Sequence, residues 1–338
     1  MDKPAPMHIR IVRGLADTLC QSLRTCFDLF KIILPVILVI RLLELAGCVD
    51  WLGRALGPVM ELVGLPGKTG LVWATAMLTN LYAGAAVLVN LDLPTPLSAA
   101  QATVLTTMML IAHNLPVELR IAQKAGTRLR VMALLRIAGA LLAGFILYRV
   151  YDAAGWLEGP STAIFIGRVD AAWGAWIIGQ GIFLLKVAAV ITALLLLVRI
   201  LKAIGVMDLL ARLMEPGLRV LGMSRDAAPV TVIGMTLGLA YGGGIIIQEA
   251  RSGVLGKRDV FFAIALMSLC HSLIEDTILM MMLGGHVSGV LVWRSIFSLA
   301  AVFLMVRLLA RVPDPAFEKH LCRPEKSRHR AEGAEAQR

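Results

Sequence analysis

Residues 48–136 and 206–294 carry the same pattern of polar, glycine and proline positions at a constant offset of 158. The matched pairs are Asp50 and Asp208, Arg54 and Arg212, Pro58 and Pro216, Gly64 and Gly222, Gly84 and Gly242, His113 and His271, Gly126 and Gly284, and Arg136 and Arg294. A register held this long marks a duplicated unit and restricts the fold to two copies of one architecture. Hydropathy says which kind. Hydrophobic residues make up 58% of the chain and charged residues 17%, with a mean hydropathy of +0.78, outside the range of water-soluble domains. Eight apolar stretches, at 26–47, 70–91, 99–119, 130–150, 176–200, 228–248, 260–283 and 288–310, approach the roughly 20 residues that a spanning helix needs. The fold class is therefore all-α, a polytopic integral membrane protein.

Each copy reads as a long apolar helix, an amphipathic piece, a glycine-bearing apolar segment, a histidine-bearing helix and a closing helix. The amphipathic pieces, VDWLGRALGPVMELVG and VMDLLARLMEPGLRVLG, place charges beside Leu, Val and Met and are expected to lie along the membrane interface. The organisation follows: an N-terminal segment at 1–24, repeat one at 25–150, a connector at 151–172, repeat two at 173–311, and a basic, structureless tail at 312–338.

Loop charges orient the copies. Between the second and third apolar segments, unit one has no Lys or Arg (LDLPTPLSAAQ), whereas unit two has Arg251, Lys257 and Arg258. After the histidine helix the bias reverses, with Arg120, Lys124, Arg128 and Arg130 in unit one and GGHVSG, without Lys or Arg, in unit two. By the positive-inside rule, homologous units with opposite bias face opposite ways, an inverted-topology repeat. Such a repeat needs an odd number of crossings per unit. Eight straight crossings put either the 120–130 loop or the basic C-terminal tail outside, so one segment per unit must enter and return, leaving six crossings and two re-entrant segments. The candidates are MLTNLYAGAAVLVN and MTLGLAYGGGIIIQEA, the second breaking at Tyr241–Gly244, because glycine permits reversal. The competing reading is a straight helix whose Gly234, Gly238 and Gly242 form a close-packing face.

Ionisable residues at matching depth in TMMLIAHNLPVELRIAQ and ALMSLCHSLIEDTILMM are costly inside a bilayer unless they face a cavity or a partner. On a continuous helix His271 and Glu275 share a face at i,i+4, with Ser272 and Asp276 in the adjacent column. Asn114 and Glu118 occupy that column in unit one, and Val117 stands where unit two has Glu275. The candidate substrate- or ion-binding residues are His113, Asn114, Glu118, Tyr241, Gly243, Gln248, His271, Ser272, Glu275 and Asp276. Imidazoles and carboxylates there can bind a cation, carry a proton or hydrogen-bond an organic solute; capping of broken helices and pairing with basic residues is the structural alternative. The pattern names no metal and calls for no cofactor. Five cysteines lack ligand spacing, and GLPGKTG lacks the first glycine of a phosphate loop.

LAYGGGIIIQEARSG followed by CHSLIEDTILMMMLGG, with its duplicate, resembles the nucleoside-recognition or Gate domain family, in two Gate-like halves covering most of residues 20–310. The resemblance implies an inner-membrane, permease-like protein with nucleosides or metal cations as the family's substrates.

The reading is a secondary-transporter-like permease for a small polar solute or ion, coupled to protons or cations, with membrane lipid as partner and both termini cytoplasmic. A non-transporting scaffold and a membrane-embedded enzyme are the rivals; the enzyme reading lacks a nucleophile or metal constellation and is not adopted. The net charge of +10 sits in loops and tail, a topogenic distribution rather than a nucleic-acid surface. Assembly as a homo-oligomer is left open.

Overall fold

The duplication is carried through into helix boundaries. The computed structural model describes residues 7–93, 95–163, 172–220, 223–224, 226–252 and 255–323, and among these it contains helices and no strand. Unit one comprises α1 (Met7–Leu45), α2 (Cys48–Leu62), α3 (Thr69–Leu78), α4 (Leu81–Asn90), α5 (Ala99–Ile111), α6 (Leu115–Ala125) and α7 (Leu129–Ala154). Unit two comprises α8 (Trp173–Ala203), α9 (Val206–Val220), α10 (Ala227–Leu237), α11 (Leu239–Ser252), α12 (Lys257–Leu269), α13 (Glu275–Met282), a π-helical turn (Ser288–Trp293) and α14 (Arg294–Leu309). Moving α2 and α5 by 158 residues reproduces the bounds of α9 and α12. A final helix, α15 (Asp314–Leu321), has no counterpart in unit one.

Helices α7, α8 and the continuous segment Ser288–Leu309 are each long and apolar enough to cross a bilayer, and α5 with α6 qualifies as a pair bent by 40°. Their outward side chains are apolar and exposed, among them Leu134, Leu142, Ile178, Leu185, Ile296 and Leu308. Rows of this kind suit a chain whose solvent is lipid. Helix α2 leaves α1 at 96°, so it lies across the end of α1 with Trp51 exposed, the attitude its amphipathic pattern predicts. Beside Trp51, Asp50 pairs with Lys68 at 2.7 Å, and that ammonium holds the Asp50 carboxyl below the ordinary carboxylate range.

Equivalent elements of the two units run past each other in opposite senses. Helices α1 and α8 lie side by side with the start of one against the end of the other: Arg199 donates to Thr18 at 2.6 Å, Ser22 bonds Thr192 at 2.6 Å, and the Arg41 guanidinium stands over Trp173 at 5.6 Å. Equivalent loops consequently lie at opposite ends of the molecule. At one end, Arg323 N–H donates to Gly126 O at 2.8 Å, while Lys257 pairs with Glu318 at 2.6 Å and Arg258 with Asp314 at 2.7 Å. At the other, Ala99 N–H donates to Gly159 O at 2.8 Å and His286 N–H donates to Thr103 Oγ1 at 2.8 Å.

The glycine-bearing segments are helical hairpins, and the second turns earlier than its glycine triplet predicts. Reversal occurs at Asn80, whose side chain accepts from Ala83 N–H at 2.9 Å, and at its repeat mate Gly238, with φ +96°. Residues Tyr241–Gly244 lie inside α11. Their use is close approach: a Cβ on Gly242 would fall 2.2 Å from the Gly234 Cα, and one on Gly84 would fall 2.9 Å from the Ala76 Cβ. Positions eight apart touch only when a helix folds back, so Gly234 and Gly242 serve packing within the hairpin rather than along a straight helix.

Both terminal segments add helix to the duplicated pattern. The described part of 1–24 is helix continuous with the first apolar stretch. Residues 314–321, expected to be structureless, form α15, anchored by Phe317, which is 1% exposed. Phe317 packs edge-on to Phe261 at 5.3 Å and under the Arg258 guanidinium at 4.4 Å; residues 324–338 lie outside the described residues.

Candidate functional site

The histidine helices are broken as well. Helix α5 ends at Ile111 and α12 at Leu269, leaving His113 and His271 in the non-helical joints before α6 and α13. Left-handed residues make the turn, Asn114 at φ 48° and Ser272 at φ 47°, a conformation to which short polar side chains are better suited than most. Pro116 falls in the first turn of α6, where a missing N–H costs nothing. The expected i,i+4 column of His271 and Glu275 is therefore not formed, because the chain between them is not helical.

Backbone bonds draw all four breaks together. Asn114 N–H donates to Ala76 O at 2.9 Å, and Leu273 N–H donates to Met235 O at 3.0 Å, tying each histidine joint to the end of its own hairpin's first helix. A Cβ on Gly238 would meet Ser272 Oγ at 2.9 Å. At the meeting point the His113 and His271 rings stand 5.1 Å apart between centroids, and both are buried. Each ring caps the helix it follows: His113 Nδ1 lies 3.0 Å from Met109 O and His271 Nδ1 lies 2.7 Å from Met267 O. A carbonyl can only accept, so Nδ1 carries the proton in both rings and Nε2 faces the centre.

Glu118 closes the cluster. Its Oε1 lies 3.4 Å from each Nε2, and its Oε2 accepts from Arg136 Nη1. Asp276, its repeat mate, places Oδ2 3.9 Å from His113 Nε2. Arg136 is fully buried and also donates from Nε to Ile111 O at 2.9 Å, satisfying a carbonyl left free where α5 stops. Its mate Arg294, equally buried, donates to Thr277 Oγ1 at 3.3 Å, while its Nε and Nη1 are without a protein partner.

Of the residues singled out in sequence, His113, Glu118, His271 and Asp276 meet directly, and Asn114 and Ser272 form the joints. Glu275 sits half-buried in the first turn of α13, with no ion pair among the described residues. Gly243 packs against α6, where a Cβ would strike Ile121 at 2.4 Å. Gln248 is exposed on α11, and the Tyr241 side chain lies outside the described residues. Arg136 and Arg294 escaped attention as site residues, although a duplicated arginine inside two apolar helices is itself the signal of a buried charge partner.

The arrangement offers lone pairs and negative charge at its centre, each group oriented by a bond on its other side. The C-termini of α5 and α12, which favour cations, both end there. Three cavities, of about 50, 280 and 800 Å³, lie at the two ends of the molecule, and none of the three is lined by the cluster.

Comparison with known proteins agrees with this architecture. The chain is 32% identical over 275 residues, 79% of its own length and 85% of the relative's, to a Bacillus subtilis (strain 168) protein described as uncharacterized membrane protein YvoD. No solved structure matches. The profile of the Gate family, described as nucleoside recognition, matches residues 26–127 and 184–287, one stretch in each unit. With both halves matched and the pattern carried through into paired helices, the chain belongs to the Gate, or nucleoside-recognition, family of membrane proteins.

Proposed function

We propose that the chain is a membrane permease for a small polar solute or ion, built as an inverted-topology repeat of six crossings and two re-entrant hairpins in the inner membrane, with both termini cytoplasmic. The observation that carries this reading is the convergence of four helix breaks, two from each unit, on the quartet of buried His113, His271 and Glu118 with partly buried Asp276. Transporters assembled from inverted repeats bind their substrates where discontinuous helices meet at mid-depth. Ionisable groups buried in a membrane are otherwise costly and mark pathways. Antiparallel packing of α1 on α8, and equivalent loops at opposite ends, supply the symmetry that alternating exposure of one site requires.

Two measurements test it. In a background without native cysteines, Thr95→Cys and Gly256→Cys, in equivalent loops of the two units, label from opposite sides of the membrane, while Gly256→Cys and Lys124→Cys label from the same side. Labelling of Thr95→Cys and Gly256→Cys from one side overturns the inverted repeat. Uptake profiling of a deletion strain across nucleosides, metal ions and organic anions then gives a solute whose uptake returns with the wild-type gene and not with His113→Gln. If uptake of every class matches the wild type, the transport reading fails.

A further inference from the structure

We propose that His113, His271, Glu118 and Asp276 form a four-ligand site for a single divalent transition-metal ion of intermediate softness, such as Zn²⁺, Fe²⁺ or Co²⁺, and that this ion is what the permease moves. The second clause rests on the transport reading above; the first stands on geometry alone.

Both imidazole Nε2 atoms and Glu118 Oε1 lie within 4.8 Å of one another, and each nitrogen is 3.4 Å from the same oxygen. With the ring protons held on Nδ1 by Met109 O and Met267 O, three lone-pair atoms face one another and repel unless a positive centre lies between them. A proton fits this spacing poorly. Charge-assisted N–H to carboxylate bonds close to about 2.7–2.9 Å, and one oxygen would be shared between two rings at a length beyond that. A metal fits it well. Ligand bonds of about 2.0–2.1 Å in a tetrahedral site put neighbouring ligand atoms about 3.3–3.4 Å apart. Three donors already meet this spacing, and Asp276 Oδ2, 3.9 Å from His113 Nε2, has to close in by about half an ångström to complete the tetrahedron as the fourth.

The surroundings are those of a metal site. Each ring is oriented by a backbone carbonyl on its other nitrogen, and the Glu118 carboxylate is held by Arg136 on its other oxygen; partners of this sort fix tautomer and direction in metal centres. Two imidazoles with two carboxylates suit ions of intermediate softness. Mg²⁺ and Ca²⁺ take oxygen donors, and Cu⁺ takes sulfur. Rings 5.1 Å apart leave room for one ion and none for a nucleoside.

The test uses the full chain in detergent with Co²⁺ as a spectroscopic probe and Zn²⁺ as competitor. The expected result is a tetrahedral Co²⁺ spectrum at one equivalent, displaced by Zn²⁺. Affinity should fall more than about a hundredfold in His113→Gln and in His271→Gln, since even partners outside the ligand shell cost 10–100-fold. Glu61→Gln, exposed on α2 and outside the quartet, should bind as the wild type does, and a cooperative melt in each variant excludes misfolding. A wild-type protein that binds neither ion, or a spectrum unchanged in both histidine variants, overturns the site. Liposomes containing the protein separate the two clauses. Metal binding without metal uptake leaves the site standing and overturns the ion as substrate, whereas uptake of a nucleoside with no metal binding overturns the metal and leaves the permease.

Discussion

Arg136 and Arg294 occupy equivalent places and are equally buried, and should respond to the same substitution to very different extents. Replacing Arg136 by Met removes its bonds to the Glu118 carboxylate and to Ile111 O and leaves a buried carboxylate without its cation. Two charge-assisted bonds at about 1.5–3 kcal/mol each bracket the loss of about 3–5 kcal/mol found when one partner of a buried ion pair is removed. Arg294→Met gives up one bond to Thr277 that is long at 3.3 Å, worth about 1.5 kcal/mol at the lower end of that range. It also relieves the core of a guanidinium whose Nε and Nη1 have no protein partner, so stability should change by no more than about 1 kcal/mol in either direction. Equilibrium unfolding in mixed micelles measures both. A double-mutant cycle of Arg136→Met with Glu118→Gln should return a coupling of about 3 kcal/mol, and the cycle of Arg294→Met with Asp276→Asn less than about 1 kcal/mol. Equal destabilisation by the two arginine changes, or a negligible Arg136–Glu118 coupling, would refute the ion-pair assignment.

Other expectations follow from the hairpins and the last helix. Gly238→Ala places a Cβ at φ +96° against Ser272 and should cost about 1–3 kcal/mol, whereas Gly244→Ala, helical with open space beside it, should be neutral or stabilising by up to about 1 kcal/mol; thermal denaturation ranks the pair. Gly242→Val should fail to accumulate as folded protein, since its side chain would enter the Gly234 backbone; fluorescence-detected size exclusion reads this directly. Burial pushes the Cys322 thiol up and shields it, so alkylation at neutral pH should be slow in the wild type and at least tenfold faster in Phe317→Ala, which removes the anchor of α15.

Periodicity and the internal repeat made the helical elements legible, because one offset of 158 places α9 from α2 and α12 from α5. The opposed loop charges likewise anticipated which loops share an end. Misplacement of the second hairpin's turn has a physical cause: glycine is used both for positive φ and for close approach, and sequence shows only the residue. Gly238 supplies the first use and Gly242 the second. The histidine joints were missed because Asn114 and Ser272 turn the chain without glycine, and Pro116, the one local signal, reads equally as a kink. Arg136 reaches Glu118 from 18 positions away on the next helix, a pairing that helical spacing cannot reveal. Helix α15 was hidden by its charge content; a single aromatic, Phe317, decides it.

Helix α15 stands outside the duplicated pattern, and it grips both copies at one end. Its C-terminal edge bonds the Gly126–Arg128 turn of unit one, while Asp314, Phe317 and Glu318 hold Lys257, Arg258 and Phe261 of unit two. Exposed ion pairs of this sort contribute little, about 0–1 kcal/mol each, but burial of Phe317 adds about 2–3 kcal/mol. A clasp of about 3 kcal/mol corresponds to roughly a hundredfold in an equilibrium. Two halves that symmetry alone would let part with equal ease at either end are thus latched at one of them, and any movement that separates the units there must first peel α15 from one.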